Sequence, residues 1–380
     1  MKRADALIHV EDPGAANYVA GLPGALAHCG VRSVLVAGGK ARDQLAALGC
    51  DFEPVPAGGT AETLLDESGA RLVIVGTAED RDSLGLTLVA AARARGIASL
   101  GVIDGPSYPD QRFRGRGADP LGYAPDRVLV PDEGTRQCFM ALGMAGDAVM
   151  TAGHPLFDRM RAECARLDGE GQAAVRGRVL PGAPHGRPVL MFLAEISDGY
   201  RPDLYRRHAG YRLTGRGGAD TRTPIVIEEF LDASRALDAY RVLRLHPKNT
   251  RDEFAAYLDE FDTVSAGGAP HELIYAADLV AGMTTMLLVE ATLLGRPTIS
   301  NVPDPAEAVW LPTAACGLTP VIDRRADLAP ALRAGLRSRP DAGLIDRALP
   351  AGAQERVVEI IAAMLGKGAP LSRRPEKERV

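Results

Sequence analysis

One segment of the chain, residues 277–300, combines the residue types that bind an anion. An apolar run ends at Gly282, and a helical pattern of apolar residues begins at Met286. Hydroxyls and backbone N–H groups crowd the turn between them, where the dipole of the helix also attracts negative charge. The pattern predicts a phosphate site formed by Gly282, Met283, Thr284 and Thr285. In the alternative interpretation, Thr284 or Thr285 only caps the helix.

A carboxylate stands in the same predicted helix. Glu290 is flanked by Leu287, Leu288, Val289 and Leu293. A charge among so many apolar residues is costly unless it has a partner. We therefore expect Glu290 to accept the hydroxyls of a ribose, and the alternative is a surface carboxylate without a ligand.

A second cluster follows another apolar run, in the sequence Arg244-Leu-His-Pro-Lys-Asn. His246 can donate a proton to a ligand, and Lys248 offers a compact positive charge to a phosphate. Pro247 restricts the backbone of the turn. We expect Arg244, His246 and Lys248 to bind the same ligand, unless backbone groups alone satisfy His246.

Two further features follow the apolar run Val189–Leu193. Glu195 comes directly after it and is expected to face the ligand. The next stretch, residues 197–223, is rich in basic and aromatic side chains: Tyr200, Arg201, Tyr205, Arg206, Arg207, His208, Tyr211, Arg212, Arg216 and Arg222. This composition predicts either a mobile lid over a phosphorylated or acidic substrate or a solvated basic loop.

Carboxylates also follow the first apolar run of the chain. Glu11 and Asp12 precede Pro13–Gly14, which would start a helix close to a ligand. The two acids could bind hydroxyls or take a proton, or Asp12 could simply cap the helix. Asp80 and Asp82 have the spacing of a metal-binding pair, but their charged surroundings favour a helix start.

The elements that position these residues alternate between short apolar runs and stretches of helical periodicity, a rhythm typical of βαβ units and a parallel sheet. The predicted strands are Leu7–Val10, Val34–Ala37, Leu72–Val75, Leu100–Ile103, Val128–Val130, Val149–Thr151, Val189–Leu193, Val242–Leu245, Leu279–Ala281, Thr298–Ser300 and Val321–Ile322. Parallel sheets bind ligands at the carboxyl ends of their strands. The clusters above are therefore expected at that edge.

A length of 380 residues predicts about two domains. We predict an amino-terminal domain over residues 1–165, a charged, Gly- and Pro-rich linker over 166–187, and a second domain over 188–345. A C-terminal helix over 346–366 and a disordered tail over 367–380 would follow. Both domains are expected to be doubly wound, Rossmann-like α/β domains that face a central cleft.

Charge and cysteine content restrict the partners and the compartment. Forty-four Lys and Arg against forty-nine Asp and Glu give a net charge of −5, which disfavours nucleic acid. No apolar run has the length of a membrane span, and the five cysteines lack the spacing of a zinc site. We expect a cytoplasmic protein with no metal, no bound cofactor and no stable membrane insertion. The oligomeric state stays open, with a homodimer as one alternative.

The motifs around His246 and Glu290 resemble the donor half of glycosyltransferases of the GT-B class. His-Pro-Lys followed by Ala-Asp-Leu-Val-Ala-Gly-Met-Thr-Thr is similar to capsule-polysaccharide transferases, bacterial sialyltransferases and glycerophosphate transferases, and more distantly to UDP-N-acetylglucosamine 2-epimerases. The resemblance implies a nucleotide-sugar donor on the second domain, bound by His246, Thr284, Thr285 and Glu290. It implies a hydroxyl-bearing acceptor on the first domain, where Asn17, Tyr108 and His154 are the expected contacts.

The same resemblance implies a catalytic base. Bacterial sialyltransferases carry it in an acidic-acidic-glycine element, which Asp104-Gly105 matches except that Ile103 replaces the first acid. Asp132-Glu133-Gly134 matches the tripeptide but also fits an ordinary helix start. Asp104 is therefore preferred, with Asp132 and Asp12 as alternatives. Such a base takes the proton of an acceptor hydroxyl during its attack on the sugar.

These inferences predict a metal-independent glycosyltransferase that uses a nucleotide sugar, with UDP favoured over CMP or CDP. One alternative is a nucleotide-sugar 2-epimerase or hydrolase of the same architecture. Its usual Gly-Thr-Arg-Pro-Glu loop is replaced here by Glu11-Asp-Pro-Gly. The other alternative is a non-catalytic protein that binds nucleotides or phosphorylated metabolites.

Overall fold

The computed structural model describes residues 2–196 and 202–367, which form two compact units. The first unit contains residues 2–104, 109–155 and 352–367, and the second contains residues 105–108, 156–196 and 202–351. The tail predicted to be disordered lies outside the described residues, apart from Lys367. Within the described ranges, no helix has the length and apolar character needed to cross a bilayer.

The first unit is built on a seven-stranded sheet whose strands all run parallel, in the order β3-β2-β1-β4-β5-β6-β7. The strands are β1 (Ala6–Val10), β2 (Ser33–Ala37), β3 (Glu53–Pro54), β4 (Leu72–Gly76), β5 (Ala98–Val102), β6 (Arg127–Val130) and β7 (Val149–Thr151). Every residue of β1 and β4 is buried, because helices cover both faces of the sheet. The strand order reverses between β1 and β4, so their carboxyl ends form a switch point.

The helices of the first unit are α1 (Pro13–Val19), α2 (Leu22–His28), α3 (Ala41–Ala47), α4 (Ala61–Ser68), α5 (Leu84–Ala94), α6 (Glu133–Ala141) and α15 (Ala353–Met364). The last of these, α15, returns from the end of the chain, and its Val357 and Ile361 share a core with Leu22 and Leu26. Lys367 then donates to Asp5 at 2.7 Å. The C-terminal helix is therefore a packed part of the first unit.

The second unit has a six-stranded parallel sheet in the order β10-β9-β8-β11-β12-β13. The strands are β8 (Val189–Leu193), β9 (Tyr240–Arg244), β10 (Thr263–Ser265), β11 (Leu279–Gly282), β12 (Thr298–Asn301) and β13 (Val321–Ile322). Its switch point lies between β8 and β11. All the predicted strands are present in the two sheets. The additional strands β3 and β10 are edge strands of two and three residues, too short for a continuous apolar run.

The helices of the second unit are α7 (Pro155–Glu170), α8 (Gln172–Val179), α9 (Arg222–Ser234), α10 (His271–Ala276), α11 (Met286–Leu293), α12 (Pro312–Ala315), α13 (Arg325–Gly335) and α14 (Ala342–Ala348). Short 3-10 helices cover Pro202–Tyr205, Asp252–Phe254, Leu258–Glu260 and Pro305–Trp310.

The segment predicted as a linker, residues 166–187, differs from the prediction. Most of it is helical in α7 and α8, and Leu167, Val175 and Leu180 are buried in a core of the second unit. Arg176 also pairs with Asp278 at 2.8 Å. The apolar positions are spaced among many charges, so composition alone indicated an exposed segment.

Candidate functional site

The turn at the start of α11 has the geometry that its sequence predicts. β11 ends at Gly282, and Thr285 is the N-cap of α11, its hydroxyl accepting the backbone N–H of Leu287 at 3.3 Å. Both the predicted capping role and a set of convergent amides are therefore present. The turn lies at the switch point of the second sheet.

A carboxylate of the protein itself fills this turn. Oε1 of Glu195 accepts the backbone N–H groups of Met283 at 3.1 Å, Thr284 at 2.7 Å and Thr285 at 2.8 Å. Glu195 reaches them because it follows β8, which is the neighbour of β11. The amides that the sequence analysis assigned to a ligand phosphate are thus hydrogen-bonded to Glu195, and this corrects that assignment.

Arg222 binds the second oxygen of the Glu195 carboxylate. This first residue of α9 is 2% exposed and donates to Oε2 of Glu195 at 2.8 Å, to the hydroxyl of Thr284 at 2.8 Å and to Oε2 of Glu307 at 2.6 Å. Burial raises the pKa of Glu307 to about 7, although the adjacent Arg222 acts in the opposite direction. The result is a buried cluster of two carboxylates and one guanidinium. The sequence analysis named Arg222 only as part of the basic stretch 197–223 and did not include Glu307, because their pairing spans 85 residues.

Two aromatic rings lie against Arg222, and a third packs on them. The guanidinium of Arg222 lies 5.5 Å from the ring centre of Tyr205 and 5.9 Å from that of Trp310. Tyr108 packs on Trp310 at 4.8 Å and adopts a φ of 51°, which is uncommon for a bulky residue. Burial raises the pKa of Tyr108. This residue, expected on the acceptor side in the first domain, thus belongs to the second unit.

The arginines described in the stretch 197–223 have partners within the second unit, and the predicted lid role of this stretch stays a prediction. Residues 197–201 lie outside the described part of the chain, so the prediction for Tyr200 and Arg201 stays open there. The others are engaged within the second unit: Arg206 pairs with Asp220, Arg207 donates to the carbonyls of Thr214 and Ala219, Arg212 pairs with Asp323, and Arg216 pairs with Asp232 and Glu260. These arginines are therefore already bound to carboxylates or backbone carbonyls of the protein.

The turn after β9 orients His246 as a donor. Its Nδ1 accepts the backbone N–H of Lys248 at 3.1 Å, while its own backbone N–H donates to Oδ1 of Asn249 at 3.1 Å. In a neutral imidazole the proton is then on Nε2. His246 is partly buried, and Lys248 stands in the same turn. The predicted placement of these two residues at the carboxyl edge is confirmed, and their role in binding stays a prediction.

The side chain of Arg244 contacts β10 and the segment that follows it. It is 6% exposed and donates to the hydroxyl of Ser265 at 2.9 Å and to the carbonyl of Gly268 at 2.6 Å. Burial lowers its pKa. Its described contacts tie β9 to β10, so its arrangement is structural and differs from the predicted ligand contact.

Glu290 has a partner inside the protein. It is 3% exposed, and its Oε2 lies 2.7 Å from Nε2 of His271, the first residue of α10. The interpretation of Glu290 as a surface charge is therefore wrong. The sequence analysis did not include His271, and the ribose-binding role of Glu290 stays a prediction.

In the first unit, Asp104 follows β5 and is held by residues from its own edge of the sheet. Nη1 of Arg112 donates to Oδ1 of Asp104 at 3.0 Å and to the hydroxyl of Thr77 at 2.8 Å. The carboxylate also lies against Gly14 in the first turn of α1, where a Cβ would overlap its Oδ2. Arg112 and Thr77 were not predicted, since neither lies in a recognisable motif.

Glu11 and Asp12 follow β1 at the same edge. Glu11 accepts the hydroxyl of Ser83 and lies 3.6 Å from Nε2 of His9. Burial alone would raise the pKa of Glu11, but the interactions with His9 and Ser83 lower it. Oδ2 of Asp12 accepts the backbone N–H of Glu79 at 2.8 Å, and Asp12 makes no side-chain cap to α1.

The remaining candidates of the first unit have structural contacts. Asp132 caps α6 by accepting the N–H of Thr135 at 2.7 Å, as the alternative interpretation predicts. Oδ1 of Asn17 accepts from Gln44 at 2.8 Å. His154 is 2% exposed and packs on Tyr18 with the ring centres 4.7 Å apart.

The acidic pair Asp80 and Asp82 has local partners. Oδ1 of Asp80 accepts the N–H of Asp82 at 2.9 Å, and Asp82 pairs with Arg116. Across residues 2–196 and 202–367, no three His, Cys, Asp or Glu side chains are grouped so that they could hold a metal ion.

Two doubly wound α/β units, with seven and six parallel strands and polar residues at the carboxyl edges, define a GT-B fold. No protein-family model and no curated protein matches the chain. Solved structures do match, and they show the same fold.

The UDP-GlcNAc 2-epimerase of Neisseria meningitidis, solved with UDP-GlcNAc, is 14% identical with a TM-score of 0.65, over 97% of this chain and 100% of that chain. The corresponding epimerase of Methanocaldococcus jannaschii, solved with UDP-GlcNAc and UDP, is also 14% identical with a TM-score of 0.65, over 96% and 100%. A glycotransferase of kitacinnamycin is 16% identical with a TM-score of 0.53, over 95% and 98%. Epimerases thus predominate among these similar structures.

Proposed function

We propose that this protein binds a nucleoside diphosphate sugar, with UDP favoured, and changes the bound sugar as an epimerase or hydrolase. The fold supports this proposal, since the two epimerases above bind UDP-GlcNAc. The observation that carries it is the turn after β9, where the Lys248 N–H fixes His246 as an Nε2–H donor. A donor and a cation in one turn suit an oxygen that gains negative charge when a sugar–phosphate bond breaks.

The phosphate is assigned to His246 and Lys248 and not to the turn of Met283–Thr285, because Glu195 already holds those amides. The turns after β9 and β11 are two strands apart in the sheet, which corresponds to about 10 Å. We place the ribose near the Glu290–His271 pair. The diphosphate would then extend along the carboxyl edge towards His246.

For the chemistry at the sugar we propose Asp104 as the proton-transfer group. In the proposed epimerisation the base removes a proton from the carbon next to the anomeric centre, and the electron pair left there expels the UDP oxygen. The UDP oxygen then adds back as that carbon takes a proton on the other face, so a positioned base is required. Arg112 and Thr77 hold the carboxylate in one orientation. A metal ion is not part of the proposed reaction, and activity is expected to survive dialysis against EDTA.

Glycosyl transfer is the second candidate, because the kitacinnamycin glycotransferase has a similar fold and because the His246 and Glu290 motifs resemble transferases. In that case Asp104 would take the proton of an acceptor hydroxyl. The same donor turn would stabilise the departing nucleotide.

One experiment separates these reactions. UDP-GlcNAc is incubated with the protein in D2O and followed by NMR. An epimerase gives two epimers with deuterium at the inverted carbon, and a hydrolase gives free sugar and UDP. A transferase releases UDP at a rate that depends on an added acceptor and incorporates no deuterium.

Binding is measured in parallel by thermal shift with UDP, CDP, CMP and their sugars. A ligand at a hundred times its Kd stabilises the folded state by about 2.7 kcal/mol. If none of these compounds changes the melting temperature, the proposed function is wrong.

A further inference from the structure

A cavity of about 380 Å³ opens at the amino edge of the second sheet and is lined in part by Arg176, Arg187, Asp278 and Arg339. It lies where β8 and β11 begin, since residue 188 precedes β8 and Asp278 precedes β11. The candidate site lies beyond the other ends of these strands. A strand of five residues spans about 16 Å, so the cavity and the candidate site are separate.

Two of the lining side chains neutralise each other. Oδ1 of Asp278 pairs with Arg176 at 2.8 Å, and its Oδ2 accepts the backbone N–H of Val189 at 2.8 Å. Both oxygens of the Asp278 carboxylate therefore have partners, and they join α8 to the sheet. Asp278 therefore does not neutralise the other two arginines of the lining, Arg187 and Arg339.

Arg187 and Arg339 supply most of the remaining positive charge. Arg187 lies 2.9 Å from Asp238, whose side chain is 93% exposed, and 3.9 Å from Asp262, whose side chain is 33% exposed. Pairs that water reaches are weak, so Arg187 can still bind a further anion. Arg339 donates to the carbonyl of Ser338 at 3.1 Å. Within the described residues it makes no ion pair with a carboxylate.

A third cation, Arg296, is not part of the lining but interacts electrostatically with Arg339 and Asp278, which are. Arg296 is 9% exposed, lies 4.9 Å from the ring centre of Tyr275 and donates to the carbonyl of Leu294 at 3.3 Å. Burial lowers its pKa and the charge of Arg339 acts in the same direction, whereas Tyr275 and Asp278 act in the opposite direction. In residues 2–196 and 202–367, no carboxylate lies within 4 Å of this guanidinium. Buried cations without a carboxylate favour an anion nearby.

We propose that this cavity binds the phosphate group of a small phosphorylated metabolite, with Arg187 and Arg339 as its direct ligands. Planar guanidinium groups match phosphate oxygens in pairs, and the volume is within the usual range for small-molecule sites. Arg296 adds positive charge close to Arg339. This site does not depend on the proposed function at the opposite edge.

The test uses inorganic pyrophosphate and isothermal titration of the full chain at low ionic strength. The variants are Arg339→Glu and, as a matched control, Arg333→Glu, which changes the net charge equally at an exposed position of α13 outside the lining. His246→Ala removes a proposed ligand at the other edge. Circular dichroism confirms that each variant folds.

We expect Arg339→Glu to weaken pyrophosphate binding at this site at least tenfold. Arg187→Ala should also weaken it, while Arg333→Glu and His246→Ala leave it within a factor of about two. Equal losses in Arg339→Glu and Arg333→Glu would mean that only net charge matters and would overturn the proposal. Unchanged binding in Arg339→Glu, or no binding to the wild-type chain, would overturn it as well.

Discussion

Oε1 of Glu195 lies 2.7 Å from the backbone nitrogen of Thr284 and occupies the place at the start of α11 where a ligand phosphate was expected. Arg222 and two further amides complete the arrangement around this carboxylate. The turn is therefore preorganised by an internal anion. This is why we assign the phosphate of a nucleotide to His246 and Lys248, in the turn after β9.

Replacing Arg222 by Met is expected to lower the free energy of unfolding by about 3–5 kcal/mol, because Glu195 and Glu307 would remain buried without their cation. Urea unfolding at pH 7.5 measures the loss. Arg206→Met is the matched control, since Arg206 and Asp220 are both 66% exposed and such a pair contributes less than about 1 kcal/mol. A loss below 1 kcal/mol in Arg222→Met would contradict the structural role of this cluster.

The raised pKa of Glu307 predicts a pH dependence of stability. This carboxyl has a pKa of about 7 in the folded protein against a usual value of 4.5, so between these values the unfolded chain has released a proton that the folded chain retains. The free energy of unfolding therefore decreases as the pH rises from about 5 to about 7, by at most about 3 kcal/mol from this group.

Urea unfolding between pH 4.5 and 8, for the wild type and for Glu307→Gln, isolates this contribution from that of other titrating groups. In Glu307→Gln, the free energy of unfolding should no longer show this decrease as the pH rises. Parallel pH profiles for the two proteins would mean that Glu307 titrates normally.

Gly14→Ala tests the position of Asp104. The new Cβ would overlap Oδ2 of Asp104 and force the carboxylate away from α1. If Asp104 transfers a proton, we expect kcat to fall at least tenfold, because small displacements of a reacting group are costly, with the Kd for UDP unchanged. Gly24→Ala in α2 is the control, since no atom lies within 4 Å of its added Cβ. Equal kcat values in the two variants would exclude Asp104 as the base.

His246→Ala tests the proposed phosphate donor. A hydrogen bond to a charged group contributes about 1.5–3 kcal/mol, so the affinity for UDP should fall by about 10- to 100-fold. Calorimetric titration with UDP and with uridine measures the effect. Uridine, which has no phosphate, should bind both proteins equally. The exposed His185→Ala serves as a control, and a loss of affinity there as large as in His246→Ala would refute the assignment.

Local sequence patterns determined the central strands of both sheets. Continuous apolar runs such as Val189–Leu193 predicted central strands, because both faces of a parallel sheet are buried. The same patterns placed His246 and Thr284 after strands, and so at the carboxyl edge where the fold positions them. They also predicted two doubly wound units, which the fold confirms.

Only the tertiary structure decided which polar groups are already bound to partners within the protein. Glu195 contacts a backbone N–H 89 residues away, Arg222 contacts Glu307 across 85 residues, and Glu290 pairs with His271 from another helix. Periodicity records only which face of an element is apolar, and carries no signal for a hydrogen bond between distant segments. For that reason the sequence located the turn before α11 correctly, but only the folded chain showed that Glu195 fills it.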